Sequence, residues 1–205
     1  MSGHSQQLDP DLLLLAYRRG YFPMGEPETG LISWFSPDPR GIIPLEGFHL
    51  PRSLRRTLAR REFELRIDTA FAQVITACAA RAETWITDEI VHTYEVLHQR
   101  GIAHSVETWK EGTLAGGLYG VALGGAFFGE SMFSHVSEAS KVALVHLVRI
   151  LRAGGFRLLD VQFLNEHLLQ FGAVEVPRTD YLAMLTAALE IESRFARPPD
   201  VRTPL

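Results

Sequence analysis

The chain has one cysteine, Cys78, among its 205 residues. An intramolecular disulfide is therefore excluded, and such usage fits a reducing compartment. A structural zinc site is excluded on the same ground, since one thiol cannot build it. The eight histidines, at positions 4, 49, 92, 98, 104, 135, 146 and 167, include no pair at the i, i+4 spacing of a helical metal site. No metal is expected. No apolar run approaches the ~20 residues that span a bilayer. The polar opening, Met1–Pro10, has no basic stretch leading into an apolar one, so a signal peptide is not expected and a cytoplasmic location is. G-x-S-x-G, Walker and Rossmann fingerprints are all missing. Gly116-Gly117-x-x-Gly120 falls inside a strand pattern, where glycine lets a ligand or another backbone come close.

What is present is an ordinary globular composition, 46% hydrophobic and 21% charged, long enough to bury a core without staples. The net charge of −4 argues mildly against a nucleic-acid partner. Locally the balance reverses: Arg52, Arg55, Arg56, Arg60, Arg61 and Arg66 crowd one short segment. With Leu50, Leu54 and Leu58 at four-residue spacing, this segment reads as a basic helix that places Arg52, Arg55, Arg56 and Arg60 roughly on one side. Such a side suits the phosphates of an A-form stem, or is simply a solvated face. Trp34, Trp85 and Trp109 are either stacking platforms for unpaired bases or core residues.

Asp9-Pro10 opens a helix that Gly20 ends. Tyr21–Pro44, with five prolines, predicts a packed irregular loop. From Phe63 the expected order is β-α-α-β-β-β-α-β-α-β, with Ser137 capping the long helix. We expect a small N-terminal portion, residues 1–61, and a catalytic portion, residues 62–205. The order predicts an α/β (α+β) mixed sheet with helices on both faces, and it resembles the acetyltransferase (GNAT) fold.

Two places carry candidate chemistry. In FGESMFS, Phe128–Ser134, simple alternation puts Glu130, Met132 and Ser134 on one face and Ser131 and Phe133 on the other. Glu130 is then an acidic anchor in an oily pocket, or an edge residue facing water. Asp160 and Gln162 sit at the C-terminal end of a strand, where open sheets bind ligands. Asp160 alternatively serves a local turn. His167 reads as structural. A GNAT coenzyme A site needs a glycine loop before the crossover helix, yet the segment here is SHVSEASK, with Glu138 placed to repel pyrophosphate. A CoA-dependent N-acetyltransferase is therefore the weaker alternative, beside a non-catalytic tRNA-binding module.

Taken together, WFSPDPRGIIP (Trp34–Pro44), HLPRSLRR (His49–Arg56), TWIT (Thr84–Thr87), GESMFS (Gly129–Ser134), EASK (Glu138–Lys141) and D-x-Q-x-x-N-x-H (Asp160–His167) resemble the leucyl/phenylalanyl-tRNA–protein transferase family over nearly the whole chain. The resemblance implies an enzyme that moves Leu or Phe, and less well Met, from aminoacyl-tRNA to proteins beginning with Arg or Lys, marking them for the N-degron route. It implies no metal and no organic cofactor. It implies an aminoacyl pocket of Leu118, Phe127, Met132 and Leu159, a polar centre of Glu130, Asp160 and Gln162, and Trp85 and Trp109 near the tRNA 3′ adenosine. Met24 stands where some members have Trp. In this reading Asp160 orients the amine, directly or through Gln162, and Glu130 attracts the cationic acceptor. A carboxamide is a very poor base, so Gln162 is an orienter or oxyanion donor.

Overall fold

The structure is a computed structural model that describes residues 8–26, 28–81 and 84–196. The sequence predicts a loose tail over residues 194–205; from residue 197 it lies outside the described residues. A seven-stranded sheet organises the chain in the order β4-β5-β6-β7-β8-β3-β9. Its strands are β3 (Arg40–Ile42), β4 (Glu64–Ile67), β5 (Ala103–Lys110), β6 (Thr113–Leu123), β7 (Ala126–Ser134), β8 (Leu158–Gln162) and β9 (Val174–Val176). Only the β7–β8 pair is parallel, as befits its helical crossover; the other pairs are antiparallel.

Helices cover both faces. On one lie α1 (Pro10–Arg18), α3 (Phe71–Ala79), α4 (Asp88–Gln99) and α7 (Arg178–Leu189), packing Tyr17, Val74, Tyr94 and Tyr181 into one core. On the other lie α2 (Arg52–Arg60), the long crossover α5 (Ala139–Ala153) and short α6 (Glu166–Leu169). They bring Leu54, Leu144, Leu147 and Leu168 into a second core. Among the described residues no helix is long and apolar enough to cross a membrane.

Three expectations change. The Tyr21–Pro44 segment is not irregular: β1 (Phe22–Gly25) and β2 (Ile32–Phe35) pair as a separate hairpin. Pro23 is tolerated because both strands of a two-stranded sheet are edges, so its missing N–H breaks no interior ladder. Second, Ser137 does not cap α5. Glu138 occupies the cap position in a left-handed conformation (φ 69°), and the Ser134 hydroxyl accepts the Ser140 N–H at 3.2 Å. Third, β3 lies between β8 and β9, so the segment before Phe63 shares its sheet with the rest of the chain. The order predicted from Phe63 onward is observed, continuing into α7.

Candidate active site

The site begins where two strands part. Parallel β7 and β8 are in register at Ala126–Leu158, Phe127–Leu159 and Phe128–Asp160, and β7 then runs on to Ser134 without β8. A cavity of about 180 Å³ fills the opening. Its apolar wall is Leu118, Met132, Leu144, Leu147, Leu159 and Leu168; its polar end holds Glu130, Gln162, Tyr119, Arg81 and Asn165, with Trp85 beside them.

Glu130 reaches the polar end through a β-bulge. Tyr119 pairs with Ser131 and Gly120 with Gly129, which leaves Glu130 as the extra residue of β7. The bulge breaks the simple alternation. Met132 faces the α5 core, while Glu130 turns to the opposite face, toward Tyr17 and Tyr94. Gly120 makes the bulge possible, because a Cβ there would sit 2.2 Å from the Phe128 carbonyl. The β6 glycines thus admit a neighbouring backbone, one of the two roles that the pattern allowed.

Tyr17 Oη donates to Glu130 Oε1 at 2.6 Å, and Tyr94 Oη donates to Oε2 at 3.1 Å. The two phenolic oxygens are also in hydrogen-bond contact, so one of the two protons is shared between the carboxylate and the other phenol. Gln162 Nε2 donates to Glu130 Oε1 at 3.4 Å. Burial pushes the Glu130 carboxyl up to about 7, against the pull of the tyrosine hydrogen bonds; the Asp160 charge adds to the rise and Arg40 opposes it. Burial likewise raises both phenols well above their ordinary value.

Asp160 is placed differently. It is wholly buried, and each oxygen is occupied twice. Oδ1 accepts from Arg40 Nε (2.9 Å) and from the Gln162 backbone N–H (2.9 Å). Oδ2 accepts from Arg40 Nη2 (2.7 Å) and Tyr181 Oη (2.7 Å). Arg40, also fully buried, donates its last arm to the Gly20 carbonyl (3.0 Å). Its guanidinium lies over the rings of Phe22 and Tyr181. Burial works against the Arg40 charge, but the hydrogen bonds and charge of Asp160 more than offset it and raise its pKa. Asp160 thereby serves the local turn that the sequence allowed, holding Gln162 at φ 57°, a left-handed conformation uncommon for a side-chain-bearing residue.

The family profile described as Leucyl/phenylalanyl-tRNA protein transferase matches residues 42–186, and the profile of its N-terminal domain matches residues 6–38. The chain belongs to the leucyl/phenylalanyl-tRNA–protein transferase family. Relatives named leucyl/phenylalanyl-tRNA–protein transferase include one from Salinibacter ruber, 57% identical over 97% of this chain and 90% of that protein. One from Herpetosiphon aurantiacus is 53% identical over 93% of this chain and all of its own length. One from Gloeobacter violaceus is 53% identical over 92% of this chain and 97% of its own. Among solved structures, the C-terminal domain of a putative lysylphosphatidylglycerol synthetase from Agrobacterium fabrum aligns at a TM-score of 0.41 and 15% identity, over 77% of this chain and 52% of that one.

Of the residues that resemblance to the transferase family singles out, Leu118, Met132, Leu159, Glu130, Gln162 and Trp85 line one cavity. Asp160 stands behind Gln162, out of the cavity lining. Phe127 is not in that lining either: it is fully buried, edge-on to Phe156 and stacked on Phe195. Trp109 does not come to the cavity. Its indole donates to Glu107 at 3.1 Å and the Arg66 guanidinium covers one face of its ring. Glu107 is fully buried and also receives the backbone N–H groups of Thr69 and Ala70 at the start of α3. Trp85 is held by the hairpin, since its carbonyl accepts the Gly25 N–H at 3.0 Å. Arg52, Arg55, Arg56 and Arg60 are exposed on α2, while Leu54 on the opposite side is buried and anchors the helix. Arg60 lies 3.7 Å from Glu62, and Arg55 Nε donates to the Leu50 carbonyl.

Sequence reasoning missed Tyr17, Tyr94, Arg40 and Tyr181, and passed over Leu144, Leu147 and Leu168. The tyrosines left a usable signal: Tyr17 follows Leu13, and Tyr94 follows Ile90, at four-residue spacing on apolar helix faces. A phenol so placed needs a buried partner for its hydroxyl. Arg40 left a weaker one, a lone cation beside the apolar run Gly41–Pro44.

Proposed function

We propose that this protein is an aminoacyltransferase that moves Leu or Phe, and less well Met, from aminoacyl-tRNA to the N-terminal Arg or Lys of acceptor proteins. The observation that carries the reading is the cavity between β7 and β8, lined mainly by apolar side chains and bearing Glu130 and Gln162 among its polar groups. The apolar wall suits a side chain unbranched at Cβ. Discrimination by shape there is modest, about 1–3 kcal/mol per methylene. The donor is an activated ester of the terminal ribose. Its aminolysis requires positioning, a neutral α-amine and stabilisation of the oxyanion. Gln162 supplies the positioning or an oxyanion hydrogen bond, and Asp160 acts through it. Glu130 draws the cationic acceptor end into the cavity.

The exposed arginines of α2 receive the tRNA backbone, and Trp85 receives the terminal base. The sheet, parting after Phe128, plays the part of the splayed sheet of the GNAT fold without its coenzyme loop. The reading places the enzyme in the cytoplasm beside its charged tRNA, where the added residue marks the acceptor for the N-degron route. No metal or organic cofactor enters the reaction.

The test is incubation with labelled leucyl-tRNA and a peptide beginning with Arg, followed by mass spectrometry of the peptide. Addition of one leucyl residue at the α-amine is expected. Acetylation from acetyl-CoA in its place, or tRNA binding without any transfer, overturns the reading.

A further inference from the structure

Two carboxylates stand near the polar end of the cavity, and only one is open to it. Asp160 has both oxygens doubly occupied by Arg40, Tyr181 and the Gln162 N–H, and no side of it faces the cavity. Glu130 lines the cavity, held by phenols from α1 and α4 and by the Gln162 carboxamide. We propose that Glu130 is the proton acceptor of the transfer: it takes a proton from the acceptor's α-ammonium, and the neutral amine so formed attacks the ester carbonyl of the aminoacyl donor. This inference rests on the aminoacyl-transfer reading above and assigns that site its base.

The protons balance. The ammonium gives one to Glu130. The nitrogen then attacks, a C–N bond forms, and the tetrahedral centre carries an oxyanion that the Gln162 carboxamide is placed to receive. When the C–O bond to the ribose breaks, the second surplus proton on nitrogen leaves with the ribose oxygen as a hydroxyl. Glu130 returns its own proton to solvent, and one proton is released per peptide bond. Tyr17 and Tyr94 are positioning residues that act through Glu130.

The groups facing Glu130 tune it to this task. Tyr17 and Tyr94 donate to its charged form and lower its pKa. From β8 the Asp160 charge raises it, and from β3 the Arg40 charge lowers it. Tyr119 of β6, itself under the influence of Cys78 and Arg81 of the α3 region, and Tyr181 of α7 also feel the Glu130 charge. Burial dominates and brings the carboxyl up to about 7. An α-ammonium titrates near ~8, so acid and base lie within about one unit of each other, where proton transfer is efficient.

The experiment is the pH dependence of kcat/KM with leucyl-tRNA and an Arg-beginning peptide. An acid limb near ~7 from Glu130 is expected, followed by a plateau, since above ~8 the acceptor amine is neutral without the help of a base. Glu130→Gln should lose about 100-fold or more near pH 7.5. Its residual activity should rise along a single limb that follows the free amine. Tyr17→Phe and Tyr94→Phe should each move the acid limb to higher pH, because each removes a donor to the carboxylate. An acceptor carrying an aminooxy group, neutral throughout, should restore most of the Glu130→Gln loss. The proposal is overturned if Glu130→Gln keeps the wild-type acid limb, or loses as much on the aminooxy acceptor as on the ordinary amine. Should Glu130→Gln fail to fold, the Tyr17→Phe shift decides, and an unmoved limb overturns the proposal. A wild-type protein that transfers nothing at any pH removes the underlying reading instead.

Discussion

Arg40 and Asp160 form a fully buried ion pair, and buried charges are costly unless every hydrogen-bonding direction is answered. Here they are answered by Gly20, Tyr181 and the Gln162 backbone, so three stretches of chain meet on one charge pair. Removing one partner strands the other. Arg40→Met should cost about 3–5 kcal/mol in urea unfolding, far more than an exposed arginine would. Asp160→Ala should lose comparable stability and abolish transfer, with leucyl-tRNA binding retained wherever the fold survives. Wild-type turnover in that variant would remove Asp160 from any part in positioning Gln162.

Glu130 carries a stability signature of the opposite kind. Its folded pKa, about 7, lies above the ordinary 4.5, so the folded state holds its proton more tightly than the unfolded chain does. The stability it contributes is complete below about 4.5, falls as pH rises toward 7, and is flat beyond. The full drop is on the order of 3 kcal/mol. Urea unfolding of wild type and Glu130→Gln at pH 5 and pH 8 measures it, and the difference between the two proteins should shift toward the variant at pH 8. A carboxyl that weakens the fold where the enzyme works is a functional expense that the neighbouring tyrosines only partly offset.

At the scale of the element, α2 separates a buried anchoring side from an exposed basic side. Leu54 is buried against the α5 side of the sheet, while the arginines project outward. Replacing both Arg55 and Arg56 by Glu should therefore leave stability within about 0.5 kcal/mol. It should weaken tRNA binding and flatten its salt dependence by roughly 2 in the slope of log K against log salt. Filter binding at several salt concentrations checks this, and an unmoved slope would make α2 a solvated face. The β7 bulge shows why element-level patterning has limits. Strict alternation pairs Glu130 with Met132, and one inserted residue sends them to opposite faces.

At the scale of the whole molecule, the N-terminal segment is part of the site and not an appendage to it. It supplies Tyr17 to Glu130, Arg40 to Asp160, β3 to the sheet between β8 and β9, and the hairpin that holds Trp85. The family profiles divide near residues 38–42, some twenty residues ahead of the boundary expected from the element order, and β3 opens at that division. A fragment comprising residues 62–205 should consequently fail to fold cooperatively, since β8 and β9 lose their shared neighbour and Asp160 is left buried without its cation. Circular dichroism melting of the fragment checks this; a sharp transition would show that the segment is dispensable.

Local patterning was enough for most of the elements. Helical and strand periods and the Asp9-Pro10 start are properties of neighbouring residues, and the element order from Phe63 follows from them. The motif residues Glu130, Gln162, Leu118, Met132 and Leu159 were legible for the same reason: their residue types and spacing are written locally. What joins them is not local. The Tyr17–Tyr94–Glu130 contact spans 113 residues and the Arg40–Asp160 pair 120, and nothing in the intervening sequence encodes either meeting. Only tertiary packing could turn Asp160 from a cavity-facing acid into the holder of Gln162, draw Trp109 onto Glu107 and away from the cavity, and leave Glu130 as the carboxylate that lines the cavity. The chemistry of a carboxylate depends on the donors and the solvent around it, and those are chosen by the fold.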